Sequence, residues 1–343
     1  MKAIQFHEFG GPEVLRYEDV PDPQLRADQV LVRVRACALN HLDLFIRKGL
    51  PGVKLPHVSG ADVAGEIARI GEYVTDVQVG QRVLMAPMTF CGHCVRCAAG
   101  EQNLCRHFSV LGYAGHGNGG NAEYIAVPRM NVLPIPNDMD FVSAASVPLV
   151  FTTAWHMLVA RAKIKAGDRV LVLGGGSGVG SAAIQIAKML GAEVIATAGD
   201  DAKLEKSREL GADHLINHYK QKISDEVWRI TNKTGVDIAF EHVGQATFAE
   251  SIKSLRPGGA LVTCGATTGS EAQFDIRVLF AKQLSFLGSY MGTMGDFHQV
   301  TRHIFSGKLR PVVDRTLPLQ DARAAHEYLA GGKQFGKVVL TVN

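Results

Sequence analysis

Val170-Leu-Val-Leu-Gly-Gly-Gly-Ser-Gly-Val-Gly180, running on through Ser181 to Leu190, reads as a strand, a tight turn and a helix. Val170 to Leu173 is a continuous apolar run, as in a parallel strand buried on both faces. Five glycines follow within seven residues, where the chain turns sharply and lets a ligand close to its backbone. Ala183, Ile186, Ala187 and Leu190 then recur on one helical face, and Gly191 stands where a helix C′ glycine belongs. A helix starting on such a turn offers free N–H groups and a positive dipole end, which suit a pyrophosphate. Gly178-Val-Gly180-Ser-Ala-Ala183 fits G-x-G-x-x-A, whereas the frame from Gly175 gives G-x-S-x-x-G around Ser177, so context must decide.

The context is a regular alternation. Glu193–Ala198 is β-rich and lies about 20 residues beyond the glycines, where a second strand belongs. A helix is expected over Asp201–Leu210, a strand over His214–Asn217, a helix over Ile223–Thr231 and a strand over Val236–Phe240. A helix over Phe248–Leu255 is stopped by Pro257-Gly258-Gly259, and strands follow at Ala260–Cys264 and Leu284–Ser289. Six strands alternating with helices make an α/β, doubly wound nucleotide-binding domain.

Working outward, a chain of 343 residues has room for two domains. Residues 1 to about 150 have strand-like runs, such as Gln29–Ala36, Val63–Ile70 and Arg82–Ala86, between Gly, Pro and Asp turns, which is an all-β texture. The tail carries a helical pattern around Ala322–Leu329 and a last strand, Lys337–Val342, and either extends the second domain or returns to the first. Net charge is only +3, with no basic run and no apolar stretch of membrane-spanning length, so neither nucleic acid nor membrane is expected as a partner. Charges at the N-terminus occupy the place of a signal peptide's apolar core, so a cytoplasmic location is expected.

Six cysteines in such a chain point to metal or chemistry before disulfides. Cys91, Cys94, Cys97 and Cys105 fall within fifteen residues. Two-residue gaps aim successive sulfurs at one point, and four thiolates complete a tetrahedral zinc with no position left for substrate. The site is therefore expected to be structural, with Arg96, Arg106 and His93 offsetting its negative charge. An iron–sulfur cluster is the rival, but its fourth cysteine usually follows after three residues and precedes proline, whereas Cys105 follows after seven and precedes Arg106.

With these motifs the chain resembles the medium-chain dehydrogenase/reductase superfamily, the zinc alcohol dehydrogenases and quinone reductases, over essentially its whole length. Gly11-Pro-Glu-Val-Leu15, Pro56-His-Val-Ser-Gly-Ala-Asp-Val-Ala-Gly-Glu66, the cysteine lobe, the glycine turn and Phe335-Gly-Lys-Val-Val339 carry the resemblance. It implies a GroES-like all-β catalytic domain over 1–150, with a zinc lobe near 88–108. It also implies a Rossmann doubly wound parallel sheet over 151–290 and a segment, 291–343, that returns to the first domain. A small-molecule substrate and a homodimer or homotetramer, paired through the edge strand Leu284–Ser289, are implied too. The family's catalytic zinc ligands have counterparts at Asn40, at Ala61 in Gly60-Ala61-Asp62, and at Leu149. Ala61 and Leu149 cannot coordinate a metal. Cys37, His41, His57 and Asp62 could form a substitute site, although Cys37 reads better as a small buried residue.

The resemblance therefore describes a hybrid that keeps the structural zinc and lacks the catalytic one. It places the nicotinamide in the interdomain cleft, near Thr153, Val243 in the segment Glu241-His-Val-Gly244, and Cys264 and Gly265 in Cys264-Gly-Ala266, with the pyrophosphate on Gly175, Ser177, Gly178, Val179 and Gly180. Without zinc, the substrate carbonyl needs hydrogen-bond donors. Asn40 is the first candidate through its amide N–H, with His41 and Asp62 as proton donor or orienting group. Asp43 reads as a structural partner, and Leu44, Phe45, Thr89 and Phe90 give a largely apolar cleft. Such a centre suits NAD(P)H-dependent reduction of an enone or quinone. The alternatives are an alcohol dehydrogenase with a non-standard site, and a non-catalytic cofactor- or RNA-binding relative. NADP(H) is favoured over NAD(H), because the second strand ends at the uncharged Ala198-Gly199 with Lys203 one helical turn on. Asp200 and Asp201 either cap the next helix or bind the ribose of NADH.

Overall fold

The computed structural model describes residues 1–114 and 119–343. The chain divides into two units: Met1–Leu149 with Thr293–Phe305 and Arg310–Asn343, and Val150–Gly292 with Ser306–Leu309.

The second unit is built on a parallel sheet of six strands. Their order is His214–Asn217, Glu193–Ala198, Arg169–Val172, Val236–Glu241, Leu255–Thr263 and Ser285–Gly288, or 3-2-1-4-5-6. The order reverses between Arg169–Val172 and Val236–Glu241, where doubly wound sheets bind their ligands. Val170, Leu171 and Val172 are fully buried, as their unbroken apolar run requires. The helix after the glycine turn starts at Gly178, five residues before its apolar face begins at Ala183, because the Ser177 hydroxyl caps it. One expectation fails: the fifth strand does not wait for Ala260 but starts at Leu255. Val236 pairs with Leu255 and Ile238 with Ala260, so residues between them bulge out. Gly258, at φ +74°, supplies the turn there.

The first unit is a mostly antiparallel sheet organised by Gln29–Ala38, nearly all of it buried. Asp62–Ile70, Arg82–Met85 and Val132–Pro134 succeed one another on one side. On the other side Tyr124–Pro128 pairs with the first half of the strand, and Lys337–Thr341 with its end. Ala38 is thus flanked by Asp62 in one neighbour and Val339 in the other. That register brings residue 62 and the start of the last strand to the chain just before Asn40. The tail also holds elements that its sequence pattern did not announce, a helix Met294–Phe305 and a strand Val313–Pro318. The helix Pro148–Trp155 widens into a π-helical segment, His156–Arg161.

Candidate active centre and metal site

The short helix Val95–Ala98 starts directly after Cys94, and Gly92 and Gly100 turn the chain on either side of it at φ +79° and +77°. The lobe so formed brings all four sulfurs within 4.8 Å of one another. Individual Sγ separations are 3.5 Å for Cys105 and Cys91, 3.6 Å for Cys94 and Cys97, and 3.9 Å for Cys91 and Cys97. A disulfide would need about 2.05 Å. Thiolates around a tetrahedral zinc at about 2.3 Å stand about 3.8 Å apart, so the set fits a closed zinc shell. The expected charge compensation is different in kind. Arg96 pairs with Glu101 at 2.6 Å, and His93 turns Nδ1 to the Cys91 carbonyl at 2.8 Å. Backbone N–H groups of His93 and Cys94 hold the Cys91 thiol down to about 6, and the N–H of His107 points at Cys105 Sγ.

Two of the three positions that depart from the family's catalytic zinc set, Asn40 and Leu149, meet on the carboxylate of Asp62, the residue that follows the third, Ala61. Asp62 Oδ2 accepts from Asn40 Nδ2 at 3.0 Å and from Lys337 Nζ at 2.8 Å. Its Oδ1 accepts the backbone N–H of Leu149 at 2.7 Å. The Lys337 ammonium also donates to Asn40 Oδ1 at 2.6 Å. Asp62 is 0% exposed, Lys337 3% and Asn40 7%. An ion pair so deeply buried persists only because each charge is paired and further hydrogen-bonded. Asn40's expected role changes with this geometry. Its amide donates to Asp62 and to the Ala38 carbonyl, so both N–H groups are spent within the protein. Asp62, buried and saturated, does not reach a substrate as a proton donor either.

Asn40 precedes the helix His41–Arg47, and its backbone N–H donates to Asp43 Oδ2 at 2.8 Å. Asp43 is buried and also accepts from Ser59, which Asn121 Nδ2 approaches at 3.1 Å, so it is a structural anchor. Burial pushes its carboxyl up to about 6. His41, the first helical residue, is half-buried. Cys37 is fully buried within its strand, which raises its thiol well above the ordinary range. His57 Nε2 donates to the Gly112 carbonyl at 2.9 Å, and its ring sits edge-on to Phe6. Among the described residues, the four lobe cysteines are the only group of three or more His, Cys, Asp or Glu side chains close enough to share an ion.

In the second unit the glycine turn is closed by its own packing. Gly174 takes φ +58°, and a Cβ on Gly180 would lie 2.3 Å from the Gly174 carbonyl oxygen. A Cβ on Gly175 would press on Ser207 and Ile184. Ser177 Oγ accepts the Gly180 N–H at 2.8 Å, leaving the N–H groups of Gly178 and Val179 at the open helix start. His242 reaches over from the neighbouring strand end, its Nε2 2.7 Å from the Leu173 carbonyl and 3.3 Å from Ser177 Oγ. Buried Glu241 accepts the N–H groups of Val243 and Gly244 and the hydroxyls of Thr247 and Ser251. A Cβ on Gly265 would meet the His242 carbonyl, and Cys264, pushed up to about 12 by burial, is no thiolate. Val243, Cys264 and Gly265 therefore gather beside the glycine turn. Thr153 is buried in its helix, its hydroxyl on the Met291 sulfur at 3.6 Å.

At the end of the second strand Asp200 caps the next helix, accepting the Lys203 N–H at 2.9 Å. Asp201 is taken by Lys220 and by Asn217 Nδ2, each at 2.6 Å. Gly199 is open for a neighbour's sake: a Cβ there would strike the Tyr219 ring at 2.6 Å.

Residues 26–137 match the alcohol dehydrogenase GroES-like domain and residues 178–306 the zinc-binding dehydrogenase domain. The chain belongs to the medium-chain dehydrogenase/reductase superfamily. Quinone oxidoreductase of Rattus norvegicus is 32% identical over 99% of this chain and 97% of its own. Alcohol dehydrogenase of Geobacillus stearothermophilus is 32% identical over all of both chains. A crystal structure of an NAD-dependent alcohol dehydrogenase is 43% identical, with a TM-score of 0.96 over all of both chains. The protein is accordingly an NAD(P)-dependent oxidoreductase with a GroES-like domain and a parallel-sheet domain.

Sequence reasoning missed Lys337, which carries a usable signal, a charge at the head of the apolar run Val338-Val-Leu340 and hence a candidate for a buried partner. Glu241 and His242 are expected only as part of the segment Glu241-His-Val-Gly244, and the roles of their side chains, one closing a loop and one on a carbonyl, have no signal in the sequence.

Proposed function

We propose that the protein reduces quinones, enones or related activated carbonyls with NADPH, on a centre that uses no catalytic metal, and that its one zinc is structural. The Lys337–Asp62–Asn40 cluster carries this reading. Where a catalytic zinc would need three donor side chains, this chain offers an alanine, a leucine and an amide already bonded to an internal ion pair. A cation is built in, and the carboxylate that could attract a metal is neutralised by it.

NADPH, when bound, supplies the hydride. The N–H groups of Gly178 and Val179, on the turn shaped by Gly175, Ser177 and Gly180, would hold its pyrophosphate. Thr153, Val243, Cys264 and Gly265 would line the nicotinamide end. Asn40 and Asp62 hold the start of the helix that presents His41, whose imidazole is the remaining candidate to give the substrate its proton. Quinones and enones suit such a site because they accept hydride without a Lewis acid. NADPH is favoured over NADH because both aspartates after the second strand are occupied, one as a helix cap and one by Lys220. The 43% identical alcohol dehydrogenase bears "NAD-dependent" in its name and supports the second reading, an NADH-linked alcohol dehydrogenase.

Steady-state turnover of NADPH and NADH with 1,4-benzoquinone, an enone and a simple aldehyde separates the two. The first reading expects the quinone or enone to turn over with a kcat/KM advantage for NADPH. Aldehyde reduction with NADH alone would overturn it.

A further inference from the structure

The sulfurs of the cysteine lobe fall into two close pairs, each joining a half-buried side chain to a buried one. Cys91 and Cys94 are half-buried, whereas Cys105 is 6% exposed and Cys97 8%. Cys91 Sγ stands 3.5 Å from Cys105 Sγ, and Cys94 Sγ 3.6 Å from Cys97 Sγ. Cys91 is also 3.9 Å from Cys97, but joining those two would break both close pairs. The lobe is open on its outer side. Val95, which follows Cys94, is 80% exposed, and a Cβ on Gly92 or Gly100 would meet nothing within 4 Å. A small oxidant therefore reaches Cys91 and Cys94 first, and each has a second sulfur directly behind it. A disulfide needs its sulfurs at about 2.05 Å, so each pair has only about 1.5 Å to close. Cys37, by contrast, is fully buried in its strand.

Building on the reading of this lobe as a structural zinc site, we propose that it is also a site of reversible oxidation by peroxides, which convert it to two disulfides, Cys91–Cys105 and Cys94–Cys97, and release the zinc. In the first step the thiolate of Cys91 or Cys94 attacks one oxygen of hydrogen peroxide. The O–O bond breaks, hydroxide leaves and the sulfur becomes a sulfenic acid. The thiolate behind it, Cys105 or Cys97, then attacks that sulfur. The S–O bond breaks, a second hydroxide leaves and the S–S bond forms. Each disulfide takes two electrons from two thiolates, and with two protons from solvent one peroxide becomes two waters. Two peroxides thus consume all four thiolates, and disulfide sulfurs do not replace thiolates as zinc ligands. Both links close short loops inside the lobe, Cys94–Cys97 lying within the span of Cys91–Cys105, so the lobe exchanges a metal staple for covalent ones and stays folded.

The test is titration of the zinc-loaded full chain with hydrogen peroxide, followed by a chromophoric zinc indicator, circular dichroism and tandem mass spectrometry. Digestion after Arg96 and Glu101 separates Cys94 from Cys97 and Cys97 from Cys105, and fragmentation between Cys91 and Cys94 completes the assignment. One zinc per chain should leave while the dichroism spectrum is kept, and the mass of the denatured chain should fall by about four units for the four hydrogens lost. The peptides should carry Cys91–Cys105 and Cys94–Cys97, with Cys37 still a thiol. Dithiothreitol and added zinc should restore the thiols and the metal. Any other linkage, sulfinic acids in place of disulfides, or zinc that leaves only together with the folded spectrum would overturn the proposal while the zinc reading stands. A chain that holds no zinc after purification in its presence would overturn the zinc reading, and the oxidation site with it.

Discussion

Lys337 is 3% exposed, and its ammonium is bonded to Asp62 and Asn40. Lys337→Met leaves the Asp62 carboxylate buried and unpaired, a change that costs about 3–5 kcal/mol. Lys337→Met with Asp62→Leu should recover most of that loss, because an apolar pair of similar size replaces a neutralised one. Urea unfolding of the four chains of this cycle measures the coupling, and simple additivity would deny the pairing. A second buried pair makes a pH prediction. His326 is fully buried, its Nδ1 accepting from Arg47 Nη1 at 3.2 Å, and burial, with Arg47, holds it down to about 3. Unfolded, it takes a proton near 6.5, so stability is lost as pH falls from 6.5 toward 3, by about 1.4 kcal/mol per unit. Asp43, raised to about 6, has the opposite sign and gains stability as pH falls from 6 toward 3.8. The difference between wild type and His326→Phe in melting temperature against pH isolates the histidine. A difference that does not change below pH 6 would contradict the assignment. At this scale the sequence was a partial guide. Asn40 and Asp62 stood out because they depart from a known ligand pattern, yet their partners come from positions 149 and 337. No local spacing joins residues so far apart along the chain.

Elements were far more legible. Apolar runs bounded by glycine marked the parallel strands, because a strand buried on both faces admits little else. The exceptions have local causes. Pro257-Gly258-Gly259 reads as a break, but a bulge carries the strand through it. The helix Met294–Phe305 lies in a tail whose pattern was read only further on. The glycine turn supplies the prediction at this scale. Gly180→Ala would put a methyl group 2.3 Å from the Gly174 carbonyl oxygen, which is backbone and has no rotamer to yield. The strand and the helix must then part. NAD(P)H affinity, measured by quenching of cofactor fluorescence, should fall at least about tenfold, with about 1–3 kcal/mol of stability lost. Unchanged affinity would mean that the close approach of strand and helix does not shape the phosphate site.

For the whole molecule, the parallel sheet ends at the edge strand Ser285–Gly288, and exposed apolar side chains lie close to it in the chain. Ile276 and Phe280 are more than half exposed, and Tyr290 is half exposed. An open edge next to such a patch is a liability unless another chain covers it. We expect a second copy there, so the wild type should sediment as a dimer or tetramer and Phe280→Asp should shift it toward the monomer. A wild type that stays monomeric at micromolar concentration would contradict this. The two-part architecture was legible from textures, alternating in one half and short-stranded in the other. Which side chains a bound partner or metal would order was not, because that depends on contacts the chain makes only once folded. If one metal serves structure and none serves chemistry, as proposed, the decisive quantity is zinc per chain in fully active enzyme. One zinc, lost together with thermal stability in Cys94→Ser, is the predicted result. Two zincs per chain, with turnover tracking the second as it is withdrawn by a chelator from a protein that stays folded, would contradict it.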